Sequence, residues 1–283
     1  MVKRAVLVGI NYKGSSAQLS GCINDITHIN GILRSNCGYN PANIRVLTEE
    51  SSISPTRANI ESNINWLMTD ARPGDTLFFY YSGHGSSMRD SSSDETDGKD
   101  EVLIPLDYET KGVITDDWLY NNMVNRVPEG ARLWAFTDCC HSGTMIDLKF
   151  NFRSLCELRT GKLQRGMVYN SRDWSDRFTM SLERSRDTRG KVCLFSGCQD
   201  QETAADAFLA NRHQGAFSYC LIEMIKNNLV RQSDGTFRFD GTRIKLRNAL
   251  KEINCRLDIN GFTGQNSQLS LSAQQDLENT LDF

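Results

Sequence analysis

Two short segments concentrate the side chains able to do covalent chemistry. The apolar run Leu77-Phe78-Phe79-Tyr80-Tyr81 empties into Ser82-Gly83-His84-Gly85, and Leu133-Trp134-Ala135-Phe136 empties into Thr137-Asp138-Cys139-Cys140-His141-Ser142-Gly143. A thiol is a modest nucleophile until a base or a positive field raises its thiolate fraction, so cysteine chemistry needs an imidazole near in space though far in sequence. His84 is suited to that role: an imidazole there can take a thiol proton or protonate a leaving amine. The glycines on either side of it let the backbone turn sharply and let a substrate chain approach closely. A single cysteine or histidine at a strand end is an ordinary residue. Both falling at the edges of apolar runs, inside short polar loops, is what marks His84 and Cys140.

Those loops need a scaffold that brings them together. Short apolar runs at Arg4 to Ile10, Ile44 to Leu47, Thr76 to Tyr81, Val102 to Ile104, Arg132 to Phe136 and Val192 to Phe195 predict strands, with a last one at Gln268 to Leu271. Between them, Ile23, Ile26 and Leu33 recur at helical spacing, Ser54-Pro55-Thr56 opens a second helix, and further helices are predicted from Thr115, over Ala216 to Lys226 and over Gly241 to Ile253. Strands alternating with helices imply an α/β fold with a mainly parallel sheet covered on both faces. In such sheets ligands gather at the C-terminal ends of the strands, which is where His84 and Cys140 fall.

The chain has 283 residues, 39% of them hydrophobic, 24% charged and only 5 proline, a composition that excludes a disordered or collagen-like protein. A net charge of −3 gives no general drive toward phosphate backbones, so no nucleic-acid partner is expected. No run approaches the length of a membrane span, and the apolar stretch after Lys3-Arg4 ends at Asn11, short of a signal-peptide core, so no membrane partner is expected either. Nine scattered cysteines, an odd number, suit reduced thiols and a cytoplasmic compartment. One stretch breaks the pattern: residues 147–191 hold 11 Lys or Arg and 6 Asp or Glu. The plain reading is a solvated connector with little regular structure, and the functional one a basic segment presented to an acidic site. The chain divides accordingly into 1–146 with the reactive pair, 147–191 as a linker or insertion, and 192–283, the whole forming one domain.

The pair YSGHG (Tyr81 to Gly85) and DCCHSG (Asp138 to Gly143) resembles the two signatures of metacaspases, clan relatives of caspases. FSGCQDQETAAD (Phe195 to Asp206) and GAFSY (Gly215 to Tyr219) are similar to their small-subunit region. The separation of His84 from Cys140 agrees with the caspase spacing of about 50 residues, while the QAC-type caspase motif is absent. The resemblance implies a caspase-like three-layer sandwich and a cysteine endopeptidase with a His84/Cys140 dyad that cleaves after Arg or Lys. It covers a catalytic region without the long N-terminal extension of some relatives. The family pattern puts the nucleophile immediately before His-Ser-Gly, hence Cys140, with Cys139 facing inward because alternate strand residues point to opposite sides. The backbone N–H groups of Gly83 and Cys140 are the oxyanion donors by the same analogy. Selecting a basic side chain requires carboxylates around a buried cation. In metacaspases the residues matching Asp25, Ser82 and Asp138 line that pocket, with Cys22 matching a further cysteine near it. For Asp25 the plain alternative is a helix N-terminal charge complementing the macrodipole.

Two acidic clusters remain, Asp94, Glu95, Asp97, Asp100 and Glu101 in one and Asp116 with Asp117 in the other. An EF-hand fails because the twelfth position from Asp94 is Pro105, yet carboxylates from separate loops can surround a hard cation. The resemblance implies calcium as cofactor, with ligands at Asp100, Asp116, Asp117 and Asp147, the last shorter than the Glu of some relatives. The expected partners are protein or peptide substrates with a basic P1 residue, cut by a monomer made as a zymogen whose segment 147–191 is a self-cleavage substrate. The competing expectation is a catalytically silent caspase-like binding or scaffold protein.

Overall fold

In the computed structural model the strand and helix runs follow one another along the chain as β1 (Lys3–Gly9), α1 (Cys22–Asn36), β2 (Ile44–Thr48), α2 (Arg57–Met68), β3 (Thr76–Ser82), β4 (Gly85–Arg89), β5 (Lys99–Leu103), α3 (Tyr108–Lys111), β6 (Ile114–Thr115), α4 (Asp116–Asn122) and β7 (Arg132–Asp138). The second half comprises β8 (Phe150–Leu158), β9 (Trp174–Leu182), β10 (Lys191–Ser196), β11 (Asp206–Leu209), β12 (Arg212–Gly215), α5 (Ala216–Asn227), β13 (Leu229–Arg231), β14 (Phe237–Phe239), α6 (Leu246–Ile259) and β15 (Gln268–Leu271). The structure describes residues 1–89, 99–139, 145–159, 162–164, 167–182, 187–197, 206–209 and 212–283.

Among the described residues the main sheet has the order β2-β1-β3-β7-β10-β15-β8-β9. Strands β2, β1, β3, β7 and β10 are mutually parallel, and β15, β8 and β9 continue the sheet antiparallel. Alternation of side chains explains why helices cover both faces. Ala5, Leu7, Phe78, Tyr80, Trp134 and Phe136 enter a core capped by α1, α5 and α6. Val6, Val8, Leu77, Phe79, Leu133 and Ala135 enter another, capped by α2 and α4. Each large apolar side chain fully buried in this way contributes about 1.5–3 kcal/mol relative to exposure. The three layers expected from the alternation of runs are therefore present.

The expectation of little regular structure in 147–191 is corrected. Residues of that segment form β8 and β9, paired over nine positions from Phe150↔Leu182 to Leu158↔Trp174, and β8 joins the main sheet through β15. Phe152 and Trp174 are buried there, and of the charged residues of the segment only Arg153, Glu157, Asp176 and Arg177 fall within the two strands. A short sheet of β4, β5 and β6 lies off the end of β3. Its β4 begins at Gly85, the residue after His84.

Candidate active site

Strands β3 and β7 are neighbours in register, with Ser82 opposite Asp138 at their C-terminal ends. This adjacency brings the two chemistry-bearing segments to one edge of the sheet. His84 lies two residues past Ser82. Cys140 lies outside the described residues, as do His141, Ser142 and Gly143. Cys139 is fully buried in the core beneath α2 and α4, as strand alternation predicts.

The half-buried His84 ring is held at several points. Its Nε2 is 2.7 Å from the carbonyl oxygen of Ala17. A carbonyl only accepts, so Nε2 carries the proton and Nδ1 is left as the basic atom. The ring packs against Tyr12 with centroids 4.7 Å apart. The His84 backbone N–H donates to the Tyr12 hydroxyl (3.0 Å), and the Tyr81 hydroxyl donates to the His84 carbonyl (2.8 Å). Tyr12 has φ 49°, a left-handed backbone that non-glycine residues rarely adopt and that here turns its ring under His84. Neither Tyr12 nor Ala17 is singled out by the sequence, because nothing in the polar stretch after β1 signals a backbone carbonyl aimed at a distant imidazole. The Gly83 N–H, one of the two oxyanion donors expected, makes a long bond of 3.3 Å to the Asp138 carbonyl.

Beside the imidazole the structure gathers a buried acidic cluster. Asp25, in the first turn of α1, is fully buried. It accepts from the Ser82 hydroxyl at 2.8 Å and from the Gly215 N–H at 3.1 Å. Asp138 accepts from the Ser218 N–H at 2.9 Å and the Ser218 hydroxyl at 2.7 Å, and Tyr80 in turn lies 2.7 Å from that hydroxyl. Burial, and behind it the neighbouring Asp138, raises the Asp25 carboxyl well above the usual carboxylate range, with the Ser82 and Gly215 donors opposing. A Cβ placed on Gly215 would stand 2.0 Å from Asp138 Oδ2 and 3.0 Å from Asp25 Oδ2, so the two carboxyl oxygens lie within about 5 Å of each other. Two carboxyls in so small a volume are far more than a helix macrodipole asks for. Cys22, the first residue of α1, is buried one turn before Asp25.

Gly215 and Ser218 sit at the β12–α5 junction, and their contacts with Asp25 and Asp138 were not singled out by the sequence. Both fall in the GAFSY stretch that resembles the small-subunit region, and apart from that likeness the signal is a glycine next to a helix whose first residues include a serine. That signal reads equally well as an ordinary helix start. The cleft of about 510 Å³ lined by Lys3, Asp75, Arg132 and Arg238 lies at the opposite, N-terminal ends of β1, β3 and β7 and touches none of these residues.

The calcium expectation meets a partly assembled corner. Asp100, Glu101 and Asp116 are all buried, and the Asp116 carboxylate accepts from the Glu101 N–H (2.6 Å) and the Asp117 N–H (2.7 Å). The donor set is all oxygen, as a hard cation requires. Among the described residues, however, no three His, Cys, Asp or Glu side chains are gathered as a ligand set. Asp147, in left-handed backbone at φ 48°, is buried at the start of the path into β8. Asp94, Glu95 and Asp97 lie outside the described residues.

A mainly parallel sheet with helices on both faces, presenting an imidazole and an acidic pocket at adjacent strand ends, defines a caspase-like α/β architecture. Residues 3–149 match the family model for the metacaspase peptidase C14 domain. The chain belongs to the metacaspase family. It is 39% identical over 249 residues to Metacaspase-1 of Cryptococcus neoformans var. neoformans serotype D, covering 78% of this chain and 54% of that protein. Metacaspase-1 of Candida albicans is 37% identical over 262 residues (80% and 58%), and that of Candida glabrata 35% identical over 252 residues (79% and 64%). The chain thus spans little more than half the length of these curated relatives. A crystal structure of a Geobacter sulfurreducens protein superposes with a TM-score of 0.64 over 99% of this chain and 97% of that one; at 22% identity it speaks for the fold alone. Among the described residues no helix is long and apolar enough to cross a membrane.

Proposed function

We propose that this chain is a calcium-activated cysteine endopeptidase that cleaves protein substrates after Arg or Lys. The observation that carries the reading is the buried pair Asp25 and Asp138, with Ser82 between the strand ends, beside an imidazole whose Nδ1 is left basic. A guanidinium or ammonium entering between two carboxyls gains charge-assisted hydrogen bonds, whereas an acidic side chain meets repulsion and desolvation. Cys22, buried at the start of the same helix as Asp25, is counted with this pocket on the resemblance alone.

The chemistry follows from the dyad. His84 takes the Cys140 thiol proton, and the thiolate attacks the carbonyl carbon of the scissile bond. The oxyanion is met by the backbone N–H groups of Cys140 and Gly83, the latter giving up its long bond to Asp138. Collapse expels the amine, protonated by His84, and leaves a thioester that water, deprotonated by His84, hydrolyses. Calcium would be held by Asp100, Asp116, Asp117 and Asp147, supplying positive charge among carboxylates that otherwise repel.

Self-cleavage falls in the connector between β8 and β9, where the side chains of Arg159, Lys162 and Arg172 are exposed, rather than within the paired strands. The enzyme works as a monomer in this reading, which the charged residues Asp176 and Arg177 within the outermost strand β9 support by discouraging strand-to-strand pairing. A reducing, cytoplasmic compartment belongs to the same reading, supported by nine scattered cysteines that suit reduced thiols.

The test is a fluorogenic P1 scan with and without calcium on the wild type and on Cys140→Ala and His84→Ala. Arg and Lys substrates should exceed an Asp substrate by about two orders of magnitude or more. Both variants should be inert yet folded, and Cys139→Ala active. Full turnover by Cys140→Ala, or a preference for P1 Asp, overturns the assignment.

A further inference from the structure

A pair of thiols lies apart from the candidate site, on β8, three strands along the main sheet from β7, and on α6. Cys156, half-buried on β8, and Cys255, fully buried on α6, are both reduced, and their Sγ atoms stand 2.6 Å apart, about 0.6 Å beyond the length of a covalent S–S bond. The register that brings them together is fixed on both sides. Asn254 Nδ2 donates to the Ser154 carbonyl at 2.8 Å, and the Cys156 thiol lies 3.3 Å from the Lys251 carbonyl. Trp174, Ile259, Leu158, Met167 and Tyr169 pack around the two sulfurs in a small cluster of their own. Cys156 and Cys255 therefore meet as a consequence of how α6 covers β8.

We propose that Cys156 and Cys255 are a reversible disulfide site that staples β8 to α6 under oxidation by a low-molecular-weight disulfide such as glutathione disulfide. The Cys156 thiolate, the more exposed of the two, attacks one sulfur of the oxidant and releases one thiolate. The Cys255 thiolate then attacks Cys156 Sγ and releases the second. Two protein thiols are oxidised, one small disulfide is reduced to two thiols, and two protons leave the protein. Burial pushes the Cys255 thiol up, so the second step waits on proximity rather than on acidity. The staple joins parts of the chain on opposite sides of the β8–β9 connector. A chain cut in that connector would remain one covalent body while oxidised and become two on reduction. The disulfide itself does not rest on the peptidase reading.

The experiment uses the full chain carrying Cys140→Ala, so that neither self-cleavage nor the proposed nucleophile intervenes. The protein is equilibrated with glutathione and glutathione disulfide at graded ratios, alkylated, and digested with trypsin. Trypsin releases Cys156 in Ser154–Arg159 and Cys255 in Glu252–Arg256, each with one cysteine. The expected result is a single linked species of these two peptides under oxidising ratios, a fall of at least tenfold in both alkylated peptides, and full recovery with dithiothreitol. Cys156→Ser, at the half-buried position, should abolish the linked species while keeping the thermal unfolding transition. As a second readout, protein nicked in the connector should run as one full-length band without reductant and as two with it. Both peptides still fully alkylated in excess glutathione disulfide, Cys156 linked to any other cysteine, or nicked oxidised protein separating without reductant would each overturn the proposal.

Discussion

At the scale of single residues the acidic pocket has a pH signature. In the free protein burial and the nearby Asp138 raise Asp25, so its carboxyl stays protonated above the pH at which an exposed carboxyl ionises. A basic P1 side chain favours the ionised form, so binding it expels a proton and tightens as pH rises. The value of kcat/KM for an Arg substrate should therefore climb with pH through the raised Asp25 pKa, and Asp25→Asn should lose that limb together with most of the activity. Stability runs the other way. The contribution of a group whose folded pKa lies above its unfolded value, about 3.9 for Asp, is fully present below the unfolded value and fades as pH rises through the folded one. Thermal melts of the unliganded protein should fall along that window, and Asp25→Asn should flatten the fall. Gly215 tests the same pocket by shape. Because its Cβ would overlap Asp138 Oδ2, Gly215→Ala should cost kcat/KM at least tenfold, checked by steady-state kinetics on an Arg substrate.

Elements obey simpler rules, and one helix invites a direct test. Gly31 is exposed in the interior of α1, and nothing lies within 4 Å of where its Cβ would be. Gly31→Ala should raise stability by about 0.5–1 kcal/mol through helix propensity alone, read as a higher denaturant midpoint at unchanged m-value. The legibility of the fold follows the same local logic. The core strands and α1, α2 and α5 were readable because apolar runs between turn residues leave one interpretation: Gln268 to Leu271 coincides with β15, and Ser54-Pro55-Thr56 opens a helix whose N-cap is Thr56. Strands β8 and β9 were hidden because the segments flanking and joining them carry most of the charge of 147–191, so the composition of the stretch imitates a connector, while Phe152 and Trp174 are too few to set a visible period. Partnership is a further step that a sequence does not carry. Asp25 and Asp138 stood out as acids at strand ends, but that Gly215 and Ser218 would close on them depends on α5 packing beside β7.

Over the whole molecule, a continuous path joins the acidic corner to the imidazole. Asp100 and Glu101 lie on β5, and the residue after that strand, Ile104, donates its N–H to the His84 carbonyl at 3.2 Å. The Ile104 carbonyl accepts from Tyr12 and Tyr81, the two tyrosines that hold His84. Whatever fixes β5 against the start of α4 thus also fixes the imidazole. Without a cation the carboxylates of that corner repel one another, and calcium bound at Asp100, Asp116 and Asp117 would favour the arrangement in which β5, Ile104 and His84 are in place. Excess chelator should therefore silence cleavage of an Arg substrate. Calcium should restore it at about 10⁻⁴–10⁻³ M, the range of open sites with few fixed ligands. Asp116→Ala combined with Asp117→Ala should lose the response while Cys140 still reacts with a small thiol reagent, separating loss of activation from loss of the nucleophile. Asp147→Ala reports on the fourth ligand: a calcium midpoint raised several-fold keeps Asp147 in the set, and an unchanged one removes it in favour of Glu101, buried next to Asp100. Undiminished cleavage in excess chelator would refute activation by calcium and leave the pairing of His84 with Cys140 standing.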